Sequence, residues 1–241
     1  MVQSGMNRPP PPADAALLRD AVTYAITSRR SIRGFLPTPV DPDIIEAILA
    51  AASRAPSGSN TQPWLVHVLT GAALAGTAYA LEAAFLAGEP AAPEYFYYPR
   101  TWRDPYLARR REVGWALYTL AGITRGDHEK GRLQHARNFT FFGAPVGLVF
   151  TIDNDLETGS WLDYGMFLEA VMVAARGFGL DTCPQAAIAS YPAMLRSLLN
   201  IPETQTIVCG MALGIADPTE PTNSLDAPRQ PVAAFTAFHD N

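Results

Sequence analysis

The sequence predicts an α+β fold, and three observations carry that prediction. Apolar residues recur at helical spacing over several segments. Three or four short runs rich in β-formers stand among them without regular alternation with helices. Gly210 and Gly214 sit in one of those runs without a dinucleotide-binding glycine fingerprint, so a doubly wound α/β sheet is unsupported.

Residues Asp14 to Arg30 place Leu17, Leu18, Val22, Tyr24, Ala25 and Ile26 at roughly helical spacing. Asp41-Pro42 reads as an N-cap with proline at the first helical position, and Ile44, Ile45, Ile48, Leu49 and Ala52 form one face of the helix that follows. Pro56, Ser57 and Gly58 stop it. Trp64 to Leu69 reads as a strand closed by Gly71, and Ala72 to Leu86 as an apolar helix. Asp104-Pro105 opens a helix over Tyr106 to Gly122 by the same capping logic, and Pro145 to Asp153 is a strand. Leu162 to Phe178 is apolar nearly all round, which requires burial on every side and, in a chain of this size, points to packing against a second subunit. Gly177 and Gly179 end it. Pro192 to Leu199 is a short helix and Thr206 to Ile215 a central strand, while Cys183 to Ala187 reads as a loop.

Two segments break this order. The first, 1–13, contains a proline run from Arg8 to Pro12 and reads as an extended, mobile arm ahead of a single domain over 14–241. The second, 88–105, is rich in proline and carries Tyr95, Phe96, Tyr97, Tyr98 and Trp102, with Tyr106 just beyond it. An irregular stretch of that length is either a lid over a site or an aromatic contact with a partner chain.

Composition narrows the function. A net charge of -5 argues against nucleic acid. No apolar run reaches membrane-spanning length, and the start of the chain has no basic, apolar leader pattern, so a cytoplasmic protein is expected. Two cysteines, Cys183 and Cys209, give no disulfide framework, and the four histidines show no metal-ligand spacing. Cys183 has no His/Asp partner pattern that would make it a nucleophile.

The chemistry-bearing pattern lies elsewhere. Arg29, Arg30, Ser31 and Arg33 follow a helix end, where one or two cations offset the dipole but three around a serine exceed that need. Planar guanidinium forks match phosphate oxygens. Pro56-Ser57-Gly58-Ser59-Asn60-Thr61-Gln62-Pro63-Trp64 supplies turn residues, and also amides able to read a polar ring edge. Cys183-Pro184-Gln185-Ala186-Ala187 offers small residues for close backbone approach to a flat ring. Arg229 stands in an extended, proline-fixed tail that can cross onto a partner.

In this order these segments resemble the FMN-dependent nitroreductase family over about Ala21 to Phe238, and within it the subgroup acting on nitrobenzoates and related nitroaromatics. The resemblance implies a sandwich around a mainly antiparallel sheet, in a homodimer whose C-terminal tails are swapped and whose interface holds two non-covalent FMN molecules. It matches Arg29, Arg30, Ser31 and Arg229 to the phosphate and ribityl grip, and Arg33 to the cation that stabilises the reduced flavin. It matches Pro56, Ser57, Gly58 and Asn60 to residues given by the other subunit, Gln185 and Ala186 to the pair over the flavin N5 edge with Pro184 beside them among the cofactor-binding positions, and Asn138 loosely to the ribityl or pyrimidine edge. Some relatives carry an acidic residue and glycine at 185 and 186, histidine at 30 and lysine at 227. The implied activity is ping-pong reduction of nitroaromatics by NADPH or NADH, through nitroso to hydroxylamine, with no side-chain nucleophile and with Tyr95, Tyr97, Trp102 and Tyr106 over the substrate. Reductive dehalogenation, enone reduction or flavin fragmentation on the same scaffold, or a non-catalytic flavin-binding redox sensor, remain open at this point.

Overall fold

The computed structural model describes residues 14–239; the expected arm over 1–13 lies outside the described residues. The elements run α1 (Ala15–Ser28), α2 (Pro42–Ala52), β1 (Leu65–Thr70), α3 (Gly71–Ala87), α4 (Tyr106–Leu120), α5 (His128–Ala136), β2 (Val146–Asp153), α6 (Thr158–Gly177), β3 (Asp181–Gln185), α7 (Pro192–Leu199) and β4 (Gln205–Gly214). The four strands form one antiparallel sheet in the order β1-β2-β4-β3. This is the α+β, mainly antiparallel architecture that the sequence predicts.

The central strands explain themselves. β2 is buried on both faces, so it reads as a continuous apolar run rather than an alternating one. Its Val146, Leu148, Phe150 and Ile152 point to a core shared with Ile45, Ile48, Phe167 and Val171 of α2 and α6. Val149 and the β4 residues Ile207 and Ala212 point to the opposite core, with Leu74 and Leu81 of α3 and Leu195 of α7. The sheet is thus covered by helices on both faces. A bulge between Phe150 and Thr151 shifts the β2–β4 register. Tyr164 sits in the core because its hydroxyl lies 3.0 Å from the carbonyls of both Leu65 and Thr151, which share its single proton. Trp64 stacks flat on Phe167 at 4.7 Å.

Several boundaries follow the capping chemistry. The Asp41 carboxylate accepts from Asp43 N at 2.9 Å, with Pro42 opening α2. At α4 the pattern is displaced: Pro105 is the N-cap, and the Asp104 carboxylate accepts from Ala108 N at 3.2 Å. Two elements differ from the sequence reading. α5 carries almost no apolar face, so hydrophobic periodicity does not signal it; the Asp127 carboxylate caps it through Lys130 N at 3.1 Å. Residues 183–185 are not a loop but part of β3, an edge strand that tolerates Pro184 because one side makes no ladder bonds. The loop expectation holds only from Ala186 to Ser190, which form a 3-10 turn.

α6 buries Tyr164, Phe167, Val171, Met172 and Ala175, yet Leu162 is 71% exposed and Met166 is 37% exposed. Burial on every side is therefore not reached within one chain, because the sheet, α2 and α1 together cover only part of the helix. α1 buries no residue at all, and its Leu17, Val22, Tyr24 and Ile26 face outward. Among the described residues no helix is long and apolar enough to cross a membrane, and no group of metal-ligating side chains comes together.

Close packing over β4 yields a test. A Cβ at Gly210 would lie 2.5 Å from Ile188 Cγ1 and 2.9 Å from Ile188 Cβ. The expected outcome for Gly210→Ala is a loss of about 1–3 kcal/mol, as for other overpacked cores. Denaturant unfolding should show a lower midpoint at unchanged slope; an unchanged midpoint would refute the tight contact.

Candidate functional site

The basic motif is laid along the sheet. After α1 the chain turns extended at Arg29, and Ile32 N donates to Thr182 O of β3 at 3.1 Å. Leu36 N donates to Ile215 O at 2.9 Å, beside a bridge between Phe35 and Ala216. Alternation along this strip drives Ile32 into the core and leaves Ser31 and Arg33 on the other side. Arg176 fixes its start: it donates to Ser28 Oγ at 3.2 Å and pairs with Asp181 at 2.6 Å.

The outcome is a cluster of cations. Arg29, Arg30, Ser31, Arg33 and Arg229 line one cavity of about 400 Å³ with Asp226 and Ala227. The single carboxylate there, Asp226, stands 3.9 Å from Arg30, with both side chains well exposed, so it neutralises little. Four guanidinium groups facing one weak counter-charge form an anion receptor.

Arg33 is the most firmly placed of them. The Asn223 side chain accepts from Arg33 N at 2.7 Å and donates to the carbonyls of Gly34 and Asp217 at 2.8 and 2.9 Å. Arg137 donates to the Arg33 carbonyl and to Glu220, both at 2.7 Å. Burial pushes the Glu220 carboxyl up, but hydrogen bonds from Arg137 and Thr222 outweigh it and hold the group below its ordinary value, ionised beside Arg137. Gly34 is required here, since a Cβ would sit 2.4 Å from Glu220 Cγ. The sequence reading did not single out Arg137, Glu220 and Asn223. They lie about 100 to 190 positions away from Arg33 and become its neighbours only through the fold.

Arg33 also lines a second cavity, of about 830 Å³, with Asn138, Pro184, Gln185 and Ala186. Gln185 is buried; its Nε2 donates to Asn138 O at 2.6 Å, and its Oε1 has no donor among the described residues. Asn138 Nδ2 is turned to His135 O at 2.9 Å. His135 lines the cavity as well, packed between Phe85 and Phe139, and burial lowers its pKa, favouring the neutral imidazole. Nothing in the sequence marked it, because it belongs to the unrecognised α5. Cys183 also lines the cavity, but burial raises its thiol to about 11, with Arg33 and Arg29 pulling only weakly the other way. It is a neutral thiol near pH 7.

The aromatic segment supplies the outer wall. Tyr95 and Tyr97 line the cavity, with Phe96, Tyr98 and Arg100. Tyr95 is anchored by its hydroxyl to Val208 O and by Trp161, 4.7 Å away. Trp102 and Tyr106 stand outside this lining; Trp102 packs on Tyr98 at 5.5 Å. Pro56, Ser57, Gly58 and Asn60 line neither cavity. Their turn is nonetheless rigidly built. Ser59, Asn60 and Gln62 all have positive φ, a costly arrangement for residues other than glycine. Gly58 N donates to Asp163 at 2.9 Å and Gln62 N to Ser57 Oγ at 3.0 Å, which holds the turn.

Removing the Asn223 amide would leave Arg33 N without its acceptor, while Gly34 O and Asp217 O would each lose one of two donors and keep Asp217 N and Glu220 N respectively. Asn223→Ala is expected to destabilise the fold by about 1–3 kcal/mol, measured as a lower unfolding midpoint. Wild-type stability in that variant would show that water replaces the amide at no cost.

Comparison with known proteins fits this geometry. Residues 26–215 match the model of the Nitroreductase family. The chain is 42% identical to 4-nitrobenzoate reductase of Pseudomonas putida, across 92% of this chain and 97% of that protein. It is 43% identical to nitrobenzene nitroreductase of Ectopseudomonas oleovorans, across 88% and 94%. The fold superposes with a TM-score of 0.87 on the FMN and NADPH-dependent nitroreductase NfnB from Sphigopyxis sp. strain HMH, at 36% identity over 91% of this chain and 99% of that one. A sheet of this order, edged by a cation strip and matched over most of its length to these enzymes, places the chain in the Nitroreductase family.

Proposed function

We propose that this chain is an FMN enzyme that uses NADPH or NADH to reduce nitroaromatic compounds, with two copies of the chain building each site. The observation that carries this reading is the pair of cavities that both have Arg33 in their linings, one with four guanidinium groups against a single carboxylate and the other wide and aromatic. The donor set fits FMN. A phosphate monoester carries about -1.5 to -2 charge near neutral pH, and Arg29, Arg30, Ser31 and Arg229 answer it. The orphaned Gln185 Oε1 fits an N–H donor on a polar ring edge. FMN held there would supply two-electron hydride chemistry; in a ping-pong exchange, two rounds, each consuming one NADPH or NADH and one proton, would take a nitro group to nitroso with loss of water and then to hydroxylamine.

The chain's own residues then have distinct tasks. Arg33 holds positive charge beside the ring, with its backbone fixed by Asn223 and Arg137. Pro184, Gln185 and Ala186 shape the wall nearest the ring, and Asn138 braces Gln185. Tyr95 and Tyr97 exclude water from the outer side. Trp102 and Tyr106 take part in substrate binding only if the 88–105 segment closes further.

A second copy supplies what one chain lacks. The Pro56 to Asn60 turn is preformed but faces neither cavity of its own chain, which suits a contribution to the partner's flavin. The exposed apolar residues of α1, Leu162 of α6, and Val232, Phe235 and Phe238 of the C-terminal tail offer a surface for the partner and for tail exchange.

The test is optical. The purified protein should be yellow, and anaerobic NADPH should bleach the flavin band within the mixing time of a turnover experiment. Nitrobenzene should then restore the colour. Arg29→Glu places a carboxylate against the phosphate, and is expected to purify colourless as a folded protein of native molecular mass. A wild-type protein that takes up no added FMN would end this reading.

A further inference from the structure

The aromatic end of the larger cavity carries a charge that the flavin does not use. Arg100 lines it together with Phe96, Tyr97 and Tyr98, whereas no aspartate or glutamate does among the described residues. Arg100 is exposed and has no carboxylate within ion-pair distance among those residues. Instead its guanidinium carbon lies 4.4 Å over the Phe96 ring. Packing over a ring occupies the face of a guanidinium and leaves its N–H edge free for a planar, two-oxygen acceptor.

Other arginines stand nearby in the chain. Arg103 and Arg109 lie over Tyr106, and Arg110 over Trp102, again without acidic partners. Arg109, Arg110 and Arg111 occupy the N-terminal half of α4, whose first turn has no acidic residue. Cations at that end oppose the helix dipole, so helix stability does not explain them. These four lie outside the cavity lining, with Asp104 and Glu112 in the same stretch, so Arg100 is the cation that this segment gives the cavity itself.

We propose that Arg100 seats the carboxylate of an anionic nitroarene, so that this site prefers nitrobenzoate-type acids to neutral nitroarenes. The inference rests on the nitroarene-reducing function proposed above. In it Arg100 is a specificity residue of the same cavity that Arg33 lines, and the aromatic side chains beside Arg100 stack on the substrate ring. The same guanidinium edge would suit the phosphates of NADPH, and the experiment separates the two sources.

The FMN-loaded enzyme is assayed with 4-nitrobenzoate and with 4-nitrobenzamide, which has the same shape without the charge. Wild type should show a higher kcat/KM for the acid. In Arg100→Gln the acid-to-amide ratio should fall about tenfold, the scale of one charge-assisted hydrogen bond in a partly open site. In Arg100→Glu it should fall further. Added salt should lower the wild-type ratio as well, since the pair is exposed. Calorimetry with unreactive benzoate and benzamide gives the same comparison without turnover: Arg100→Gln should weaken benzoate specifically. Turnover of the amide by wild type tests nitroarene reduction itself, independently of Arg100. An acid-to-amide ratio that survives Arg100→Gln overturns the assignment. So does a raised KM for NADPH with that ratio unchanged, which would give Arg100 to the dinucleotide.

Discussion

The seam between the Arg29–Phe35 strip and the sheet is the contact on which the site depends. One backbone hydrogen bond, from Ile32 N to Thr182 O, ties the strip to β3, and a second, from Leu36 N to Ile215 O, ties it just beyond β4. With Ile32 and Phe35 buried below, the strip cannot rotate, so Arg33 keeps one side and one height. Guanidinium groups repel one another and would disperse on a mobile loop. Here the cost of assembling Arg29, Arg30 and Arg33 is carried by the core under the strip, with Asn223 and Arg137 fixing the Arg33 backbone above it, and Arg229 reaches the cluster from the C-terminal tail. An anion in the proposed site would meet cations whose backbone is already ordered along the strip.

The same seam joins the two cavities. β3 contributes Cys183, Pro184 and Gln185 to the wide cavity, while the strip it carries lines the narrow one. Pro184 could not sit in the middle of a sheet, and at this edge it removes a donor that would otherwise face the cavity unpaired. Gln185 uses its amide nitrogen to hold Asn138 and leaves its oxygen free. Thus the edge of the sheet is blunted on one side by the basic strip and used on the other as a wall for a ligand.

A single chain leaves matching pieces unfinished. The Ser57–Gln62 turn stores backbone strain and is secured from α6 by Asp163, but it serves neither cavity of its own chain. α1 exposes the apolar residues that its sequence spacing marked as a face. Strain and exposed apolar area both cost stability in an isolated chain, and the proposed association of two copies would use both.

The sequence by itself determined the class of fold, the strands β1, β2 and β4, most helices and the composition of the cation motif. Each of these is encoded locally: apolar period, a cap such as Asp41-Pro42, or a run of adjacent arginines. It did not reveal α5, which has no apolar stripe, or β3, where a proline conceals a short edge strand. Tertiary structure alone decided that Asn223, Arg137 and Glu220 support Arg33, that His135 joins the cavity, and that Tyr95 and Tyr97 line it whereas Trp102 and Tyr106 stand outside. The reason is physical. Those relations are hydrogen bonds and contacts between residues far apart in the chain, made only when the sheet brings its edges together, and no local pattern of side chains records them.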